Sequence, residues 1–127
     1  MSNIPENLLY TSDHEWVRTE GEEYVIGITD HAQNSLGDVT FVELPSIGES
    51  FDVQAVFGVV ESVKAASDLF MPIAGEIIDI NEGLNDSPES VNSDPYQSGW
   101  MIRIRPSSES DIKSLLSPNL YKQEIGD

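Results

Sequence analysis

The chain of 127 residues, with a mass of 14.0 kDa, has the length of one domain and can bury a hydrophobic core without disulfides. It contains no cysteine, which excludes a disulfide framework, a thiol nucleophile, a zinc–cysteine site and a cysteine-ligated iron–sulfur cluster. The 23 acidic residues outnumber the 6 lysines and arginines, giving a formal net charge of −17, so nucleic acid and anionic membrane surfaces are disfavoured as partners.

No membrane span or targeting segment is predicted. The longest apolar runs, such as residues 55–60, have only the length of a strand. The first seven residues, MSNIPEN, lack the order of charged, apolar and small residues found in a signal peptide, and the Arg-rich composition of a transit peptide. We therefore expect a bacterial cytoplasmic protein, with a trimmed organellar form as the alternative.

The first half of the chain predicts short strands joined by turns. The predicted strands cover residues 15–18, 24–28, 39–44, 51–53 and 55–63. Between the second and third of them, Thr29 and Asp30 can cap a short helix over residues 31–36. Gly37 stands where such a helix would end.

The second half predicts further strands and one long loop. The strands cover residues 69–71, 76–80 and 99–105, the last of which alternates with a period of two. Residues 64–68 interrupt the apolar run before the first of these strands. Residues 81–95 are rich in Asn, Asp, Ser, Gly and Pro, which predicts a loop with one helical turn near residues 89–91.

The residues after Pro106 predict two short helices. Ser108 can cap the first, and Ser117 with Pro118 can cap and begin the second. Their apolar positions are Ile112, Leu115, Leu116, Leu120 and Tyr121.

Short strands at close spacing followed by a helical tail predict a mostly β fold, either a β-sandwich or a flattened barrel. No segment resembles a linker between two domains. We therefore predict a single domain over residues 1–127, with a β core over about 9–105 and a helical tail over about 107–125.

One lysine stands apart from the other cations. Lys64 is the only lysine of the predicted β portion, because Lys113 and Lys122 lie in the tail. A solvated turn residue is the ordinary explanation for such a lysine. A Schiff-base lysine needs a lowered pKa, and the flanking Glu61 and Asp68 would instead hold the proton on the amine. The remaining option is covalent acylation of an exposed amine.

The sequence around Lys64 resembles the lipoyl-attachment hairpin of the glycine cleavage system H protein family. The hairpin segment is ESVKAASDLFMPIAGE, residues 61–76. Other blocks similar to that family occur before and after the hairpin, in the same order as in the family. They are SDHEW (12–16), GITDHAQ (27–33), LGDV (36–39), FVELP (41–45), VN (91–92), DPY (94–96) and GWMI (99–102). Several ordered blocks are far more specific than a short motif around one lysine.

Two other carrier families fit less well. Biotin carriers typically flank the modified lysine with methionines, whereas Val63 and Ala65 flank it here. Lipoyl domains of 2-oxoacid dehydrogenases share the hairpin but lack the His-Glu-Trp opening at residues 14–16 and the helical tail. The resemblance thus implies a lipoyl- or biotinyl-carrier-like flattened barrel, the barrel-sandwich hybrid, of two antiparallel sheets with short helices.

The resemblance also implies a carrier rather than an enzyme. Lys64 would hold lipoate in amide linkage, attached by a lipoate ligase or lipoyl transferase. The lipoyl arm would receive an aminomethyl group from a pyridoxal-phosphate glycine decarboxylase and deliver it to a tetrahydrofolate-dependent aminomethyltransferase. Dihydrolipoyl dehydrogenase would then reoxidise the arm. A metal site is not expected, because His14 and His31 fit no metal-binding spacing, and we expect a monomer.

By position in the family motifs, a cleft for the loaded arm would be lined by Glu15 and Asp68, with Asp13 as a further candidate. The alternatives are a solvated face for Glu15 and a turn-capping role for Asp68. Candidate residues for recognition by the ligase are Glu61, Ser62, Val63 and Ala65, although Glu61 is equally well explained as a solvated strand end. Two functions remain as alternatives, a lipoate relay to other lipoyl domains and an unmodified acidic interaction module.

Overall fold

A computed structural model of the chain describes residues 3–126, apart from the side chains of residues 109 and 110. The strands in that range are β1 (Leu9–Tyr10), β2 (Glu15–Glu20), β3 (Glu23–Ile28), β4 (Val39–Glu43), β5 (Ser50–Phe51), β6 (Val56–Ser62), β7 (Ala66–Phe70), β8 (Gly75–Ile80) and β9 (Ile102–Pro106). The helices are α1 (Asp30–Leu36), α2 (Gly83–Asp86), α3 (Ser90–Ser93), a 3₁₀ helix (Glu109–Ser114) and α4 (Pro118–Ile125).

The strands form two antiparallel sheets. The larger sheet has the order β1-β2-β3-β9-β8-β5, and the smaller has the order β4-β6-β7. Every pair of neighbouring strands runs antiparallel. The predicted mostly β fold of two antiparallel sheets with short helices and a C-terminal helix is confirmed.

The main core lies between the two sheets. Alternate residues of a strand point to the same face, so Ile26 and Ile28 of β3 and Ile102 and Ile104 of β9 all point inward. They pack with residues of the smaller sheet such as Val60, and each is buried. Burying each of these side chains stabilises the fold by about 1.5–3 kcal/mol relative to leaving it in water.

A second cluster covers the outer face of the larger sheet. Tyr10, Trp16 and Val25 point to this face, and Tyr121 of α4 packs on them. The Tyr10 and Tyr121 rings stack with their centroids 4.6 Å apart. Strand β3 is therefore buried on both faces. Its Ile26 and Ile28 side chains lie in the main core, and its Val25 side chain lies in the second cluster.

Helix α1 forms as its sequence predicts. Thr29 is the N-cap, and its Oγ1 accepts a hydrogen bond from the Ala32 amide at 3.2 Å. Gly37 ends the helix with a φ of +78°, a conformation that favours glycine. The helix therefore starts and stops where the capping residues indicate.

Several strand boundaries differ from the prediction, and three of them change which residues lie in a strand next to a turn or loop. The strand predicted over residues 51–53 ends at Phe51, because the chain turns at Gln54, whose φ is +68°. Strand β7 begins at Ala66, earlier than predicted, since Glu61 pairs with Ala66 and Val60 with Ser67. Strand β9 begins at Ile102 rather than Gly99.

The loop and the tail also contain elements that the sequence pattern did not give. Residues 81–95 form two short helices, α2 and α3, instead of one helical turn. The first tail helix is a 3₁₀ helix that ends before Leu115, and Leu116 instead pairs with Tyr10 as an isolated bridge. Helix α4 forms as predicted, with Ser117 as its N-cap.

Candidate functional site

The turn between β6 and β7 carries Lys64 at the tip of a hairpin. The Ser62 amide donates to the Ala65 carbonyl at 2.8 Å, which closes the turn. The Ser62 Oγ accepts from the Lys64 and Ala65 amides, each at 3.2 Å. The Val63 amide donates to the Asp38 carbonyl at 3.0 Å, so the tip is also fixed to the loop after α1.

The side chain of Lys64 is exposed, and its ammonium forms no ion pair with any side chain that the structure describes. Its aliphatic stem passes close to Gly37, where an added Cβ would lie 3.3 Å from the Lys64 Cε. The absence of a side chain at Gly37 therefore leaves room for the lysine stem beside the end of α1.

A cleft of about 160 Å³ lies between the start of β2, helix α1 and the hairpin. Its lining residues are Asp13, His14, Glu15, Ile28, Ala32, Ser35, Leu36, Val60, Ser67, Asp68 and Leu69. The structure thus brings together Asp13, Glu15 and Asp68, which the sequence proposed as a group. In the part of the chain that the structure describes, none of the three pairs with a lysine or arginine.

Glu15 is buried, with 2 % of its surface exposed, so the alternative of a solvated face is wrong. The Thr11 hydroxyl donates to its Oε1 at 2.8 Å, and the Phe70 amide donates to its Oε2 at 3.3 Å. Because β7 is the edge strand of the smaller sheet, this carboxyl group satisfies an amide that strand pairing leaves open.

The pKa of Glu15 is raised to about 8. Burial is the main cause, because it removes water from the charged form. The negative charge of Asp13 raises the pKa further, whereas the hydrogen bonds from Thr11 and Phe70 lower it. At neutral pH the group is therefore largely protonated until a cation approaches it.

The burial of Glu15 follows from strand alternation. Glu15 and Val17 lie two residues apart on β2, so both face the space between the sheets. This periodicity was the signal in the sequence that could have identified Glu15 as an inward-facing acid.

Asp13 and Asp68 are exposed at the edge of the cleft. Asp68 lies within β7, opposite Val59, and not in the turn, so the alternative of a turn-capping role is wrong. The cleft therefore combines one buried carboxyl group with two solvated ones.

The candidate ligase-recognition residues surround the hairpin tip. Val63 is 67 % exposed, and Ala65 is also exposed. Glu61 is exposed on β6 between Phe41 and Ala66. Ser62 is half-buried and closes the turn through the hydrogen bonds described above.

No sequence motif indicated the hydrogen-bond network behind the cleft. The Tyr121 hydroxyl of α4 lies 2.9 Å from the His14 Nδ1 and 2.7 Å from the Thr29 Oγ1. His14 has a φ of +68°, and its ring lies beside that of His31, with the centroids 4.7 Å apart. Burial, together with the neighbouring His31, lowers the pKa of His14. The tail helix thus contacts the wall of the cleft.

A larger cleft, of about 370 Å³, lies between β1 and the tail and is lined by residues such as Ser12, Gln54 and Leu116. Asp13 borders it, but Glu15 and Asp68 do not. The carboxyl groups therefore converge in the smaller cleft beside the hairpin.

No helix among the described residues is long and apolar enough to cross a membrane.

Comparison with known proteins gives one consistent result. The family model described as glycine cleavage H-protein matches residues 8–127. A glycine cleavage system H protein of Rubrobacter xylanophilus is 52 % identical over 125 residues, which cover 98 % of this chain and 97 % of that one. One of Chromohalobacter salexigens is 55 % identical over 122 residues, with coverage of 95 % and 93 %.

The crystal structure of a glycine cleavage system H protein from Mycobacterium marinum superposes with a TM-score of 0.88 at 36 % identity. The match covers 98 % of this chain and 100 % of that chain. On this evidence the chain belongs to the glycine cleavage H-protein family.

Proposed function

We propose that this chain is the lipoyl-bearing shuttle of the glycine cleavage system, with Lys64 as the attachment site. The observation that carries the proposal is the placement of an exposed lysine, without an ion pair among the described side chains, at a hairpin tip beside a carboxylate-lined cleft. An amine in that position can reach the active site of another protein, and family membership supports lipoate as its modification.

The residues present fit a lipoyl group. The Lys64 amine pairs with none of the described carboxylates, so its acylation breaks none of the salt bridges seen among them. Gly37 leaves space for the lysine stem. When attached, lipoate supplies a dithiolane that can accept an aminomethyl group on sulfur and leave the arm as a dithiol.

The cleft would hold the loaded end of the arm. Ile28, Leu36 and Val60 offer apolar contacts, and Glu15 offers a carboxylate to the ammonium of the aminomethyl group. Asp13 and Asp68 add negative charge at the rim. A cation held in this way would be shielded from the water that hydrolyses it.

The partners follow from this role. The chain catalyses no reaction itself and meets a glycine decarboxylase, an aminomethyltransferase, dihydrolipoyl dehydrogenase and a lipoate ligase or lipoyl transferase. Tethering the reactive group raises its effective concentration at each of these active sites. We propose a cytoplasmic location in a bacterium, and the bacterial source of the relatives named above supports the second part of this proposal.

We also propose that the whole chain works as one carrier domain. The tail packs on the β core through the Tyr10–Leu116 bridge and the stacked Tyr10 and Tyr121 rings. A truncation before the tail would expose this face of the larger sheet.

Reconstitution with the partner enzymes tests the function. The lipoylated chain should support glycine-dependent formation of NADH, whereas Lys64→Arg should abolish it and Lys113→Arg should leave it unchanged. A lipoylated chain that accepts no aminomethyl group but passes its lipoyl group to other carrier domains would overturn the shuttle proposal in favour of a relay.

A further inference from the structure

Thr11 directly follows β1 and is the first residue of the turn that precedes Glu15. Its side chain is buried, with the residue 8 % exposed, between the end of β1 and the start of β2. Its Oγ1 accepts hydrogen bonds from the Asp13 and Glu15 amides, each at 3.2 Å. The same oxygen lies 2.8 Å from the Glu15 Oε1.

These contacts fix the direction of the Thr11 hydroxyl proton. A hydroxyl group has two acceptor lone pairs and one proton. The two backbone amides occupy both lone pairs, so the hydroxyl group can only donate to the Glu15 Oε1. A donated hydrogen bond favours the ionised carboxylate over the neutral acid.

The surroundings of Glu15 otherwise oppose its ionisation. It is buried, and the titratable groups that line the cleft with it are Asp13 and His14 from the adjoining turn and Asp68 from β7. His31 of α1 contacts His14 rather than the carboxyl group. Besides Thr11, only the Phe70 amide donates to the Glu15 side chain among the described residues, at a longer 3.3 Å.

We propose that Thr11 is the positioning residue of the cleft, whose hydroxyl group orients the Glu15 carboxyl group and keeps it ready to release its proton when a cationic arm enters. This inference rests on the proposed function, because it assigns the cleft to the aminomethyl form of the arm. In the docking step the neutral Glu15 carboxyl group loses its proton to solvent, and the resulting carboxylate pairs with the arm's ammonium. Docking below the titration midpoint of Glu15 therefore releases up to one proton.

The first test needs neither lipoate nor partner enzymes. The Glu15 carboxyl carbon is followed by NMR in glutamate-labelled, unlipoylated protein and assigned by its loss in Glu15→Gln. Thr11→Val, which keeps the shape and removes the hydroxyl group, should raise the titration midpoint by about one pH unit. Thr11→Ser should restore the parent midpoint, and Ile104→Val, a remote core change, should leave it unchanged.

Two results would overturn the positioning role. One is a Thr11→Val midpoint equal to that of the parent, and the other is a Thr11→Ser midpoint shifted as far as that of Thr11→Val. If Thr11→Val does not fold, a measurement on the unsubstituted protein still tests the positioning role. The Asp13 amide donates to the Thr11 Oγ1, so its signal should titrate with the Glu15 midpoint, and a signal that does not move contradicts the proposal.

The second test uses the loaded protein. The decay of the aminomethyl group should be up to about tenfold faster in Thr11→Val than in the parent at neutral pH, and this ratio should fall toward one as the pH rises. Equal ratios at all pH values would refute the inference. A parent chain that cannot be loaded at all would instead refute the proposed function and leave the carboxyl titration standing as a separate result.

Discussion

Glu15 shows how one residue can be costly to the fold and useful to the site. Strand alternation turns it inward, where burial raises the pKa to about 8. Two donors, the Thr11 hydroxyl and the Phe70 amide, satisfy its oxygens and offset part of the cost of ionising this buried group. The same burial makes the carboxylate a strong partner for a cation that replaces the missing water.

The free energy of unfolding should depend on pH through the ionisation of Glu15. Its pKa rises from the ordinary value of 4.5 to about 8 on folding, so between these values the folded chain holds a proton that the unfolded chain has lost. The free energy of unfolding should therefore fall by a few kcal/mol as the pH rises through this window and level off above it. In Glu15→Gln this fall should be absent.

The measurement is urea unfolding of the parent and Glu15→Gln at several pH values. The lowered pKa of His14 acts in the opposite direction, because His14 must take up a proton on unfolding at low pH. Subtracting the two curves removes this contribution, which both proteins share. Parallel curves across the window would show that Glu15 ionises in the folded chain as readily as in the unfolded one.

At the scale of elements, helix α4 secures the wall of the cleft from behind. Only one side of this short helix is buried, with Tyr121 inside and Leu120 exposed. The Tyr121 hydroxyl contacts His14 and Thr29, which belong to the turn before β2 and the cap of α1. The tail therefore links two of the elements that line the cleft.

Removing that hydroxyl group should weaken the link. Tyr121→Phe should lower the free energy of unfolding by about 1–3 kcal/mol, because the half-buried His14 ring and the buried Thr29 hydroxyl group each lose a partner. Leu120→Ala on the exposed side of the same helix is the matched control and should change it by less than about 0.5 kcal/mol. Thermal or urea unfolding measures both, and equal losses would argue against the hydroxyl contacts.

Part of this arrangement was predictable from sequence and part was not. The strands follow from runs of β-branched residues, and α1 follows from Thr29 at its start and Gly37 at its end. The similarity of residues 61–76 to the family hairpin indicated Lys64 as the candidate attachment residue. Glu15 was indicated by likeness to the family, but its burial was missed although the alternation with Val17 could have revealed it.

The remaining features depend on contacts between distant parts of the chain. His14 and Tyr121 are separated by 107 residues, and no local pattern brings them together. The end of the 3₁₀ helix before Leu115 likewise coincides with a tertiary contact, since Leu116 pairs with Tyr10. Local propensity describes such elements poorly.

At the scale of the whole molecule, the cations are unevenly distributed. Arg18, Arg103 and Arg105 lie on the larger sheet, where all three pair with carboxylates. Between Arg18 and Arg103 the sequence contains no lysine or arginine other than Lys64. Acylation of Lys64 would therefore leave residues 19–102 without a charged lysine or arginine.

Association with partner enzymes should accordingly depend on salt. We expect kcat/KM for aminomethyl loading to fall as the ionic strength rises, because an acidic carrier attracts basic surfaces over distances that salt screens. Steady-state kinetics over a range of sodium chloride concentrations measures this. Rates that do not change with salt would exclude electrostatic steering.

The central claim, that Lys64 is the tether for lipoate, is tested most directly by intact-mass measurement with peptide mapping of the chain expressed in a lipoate-competent host. The account predicts a mass increase of one lipoyl amide located on Lys64, lost in Lys64→Arg and kept in Lys113→Arg. An unmodified chain in that host, or a lipoyl group on another lysine, would contradict it.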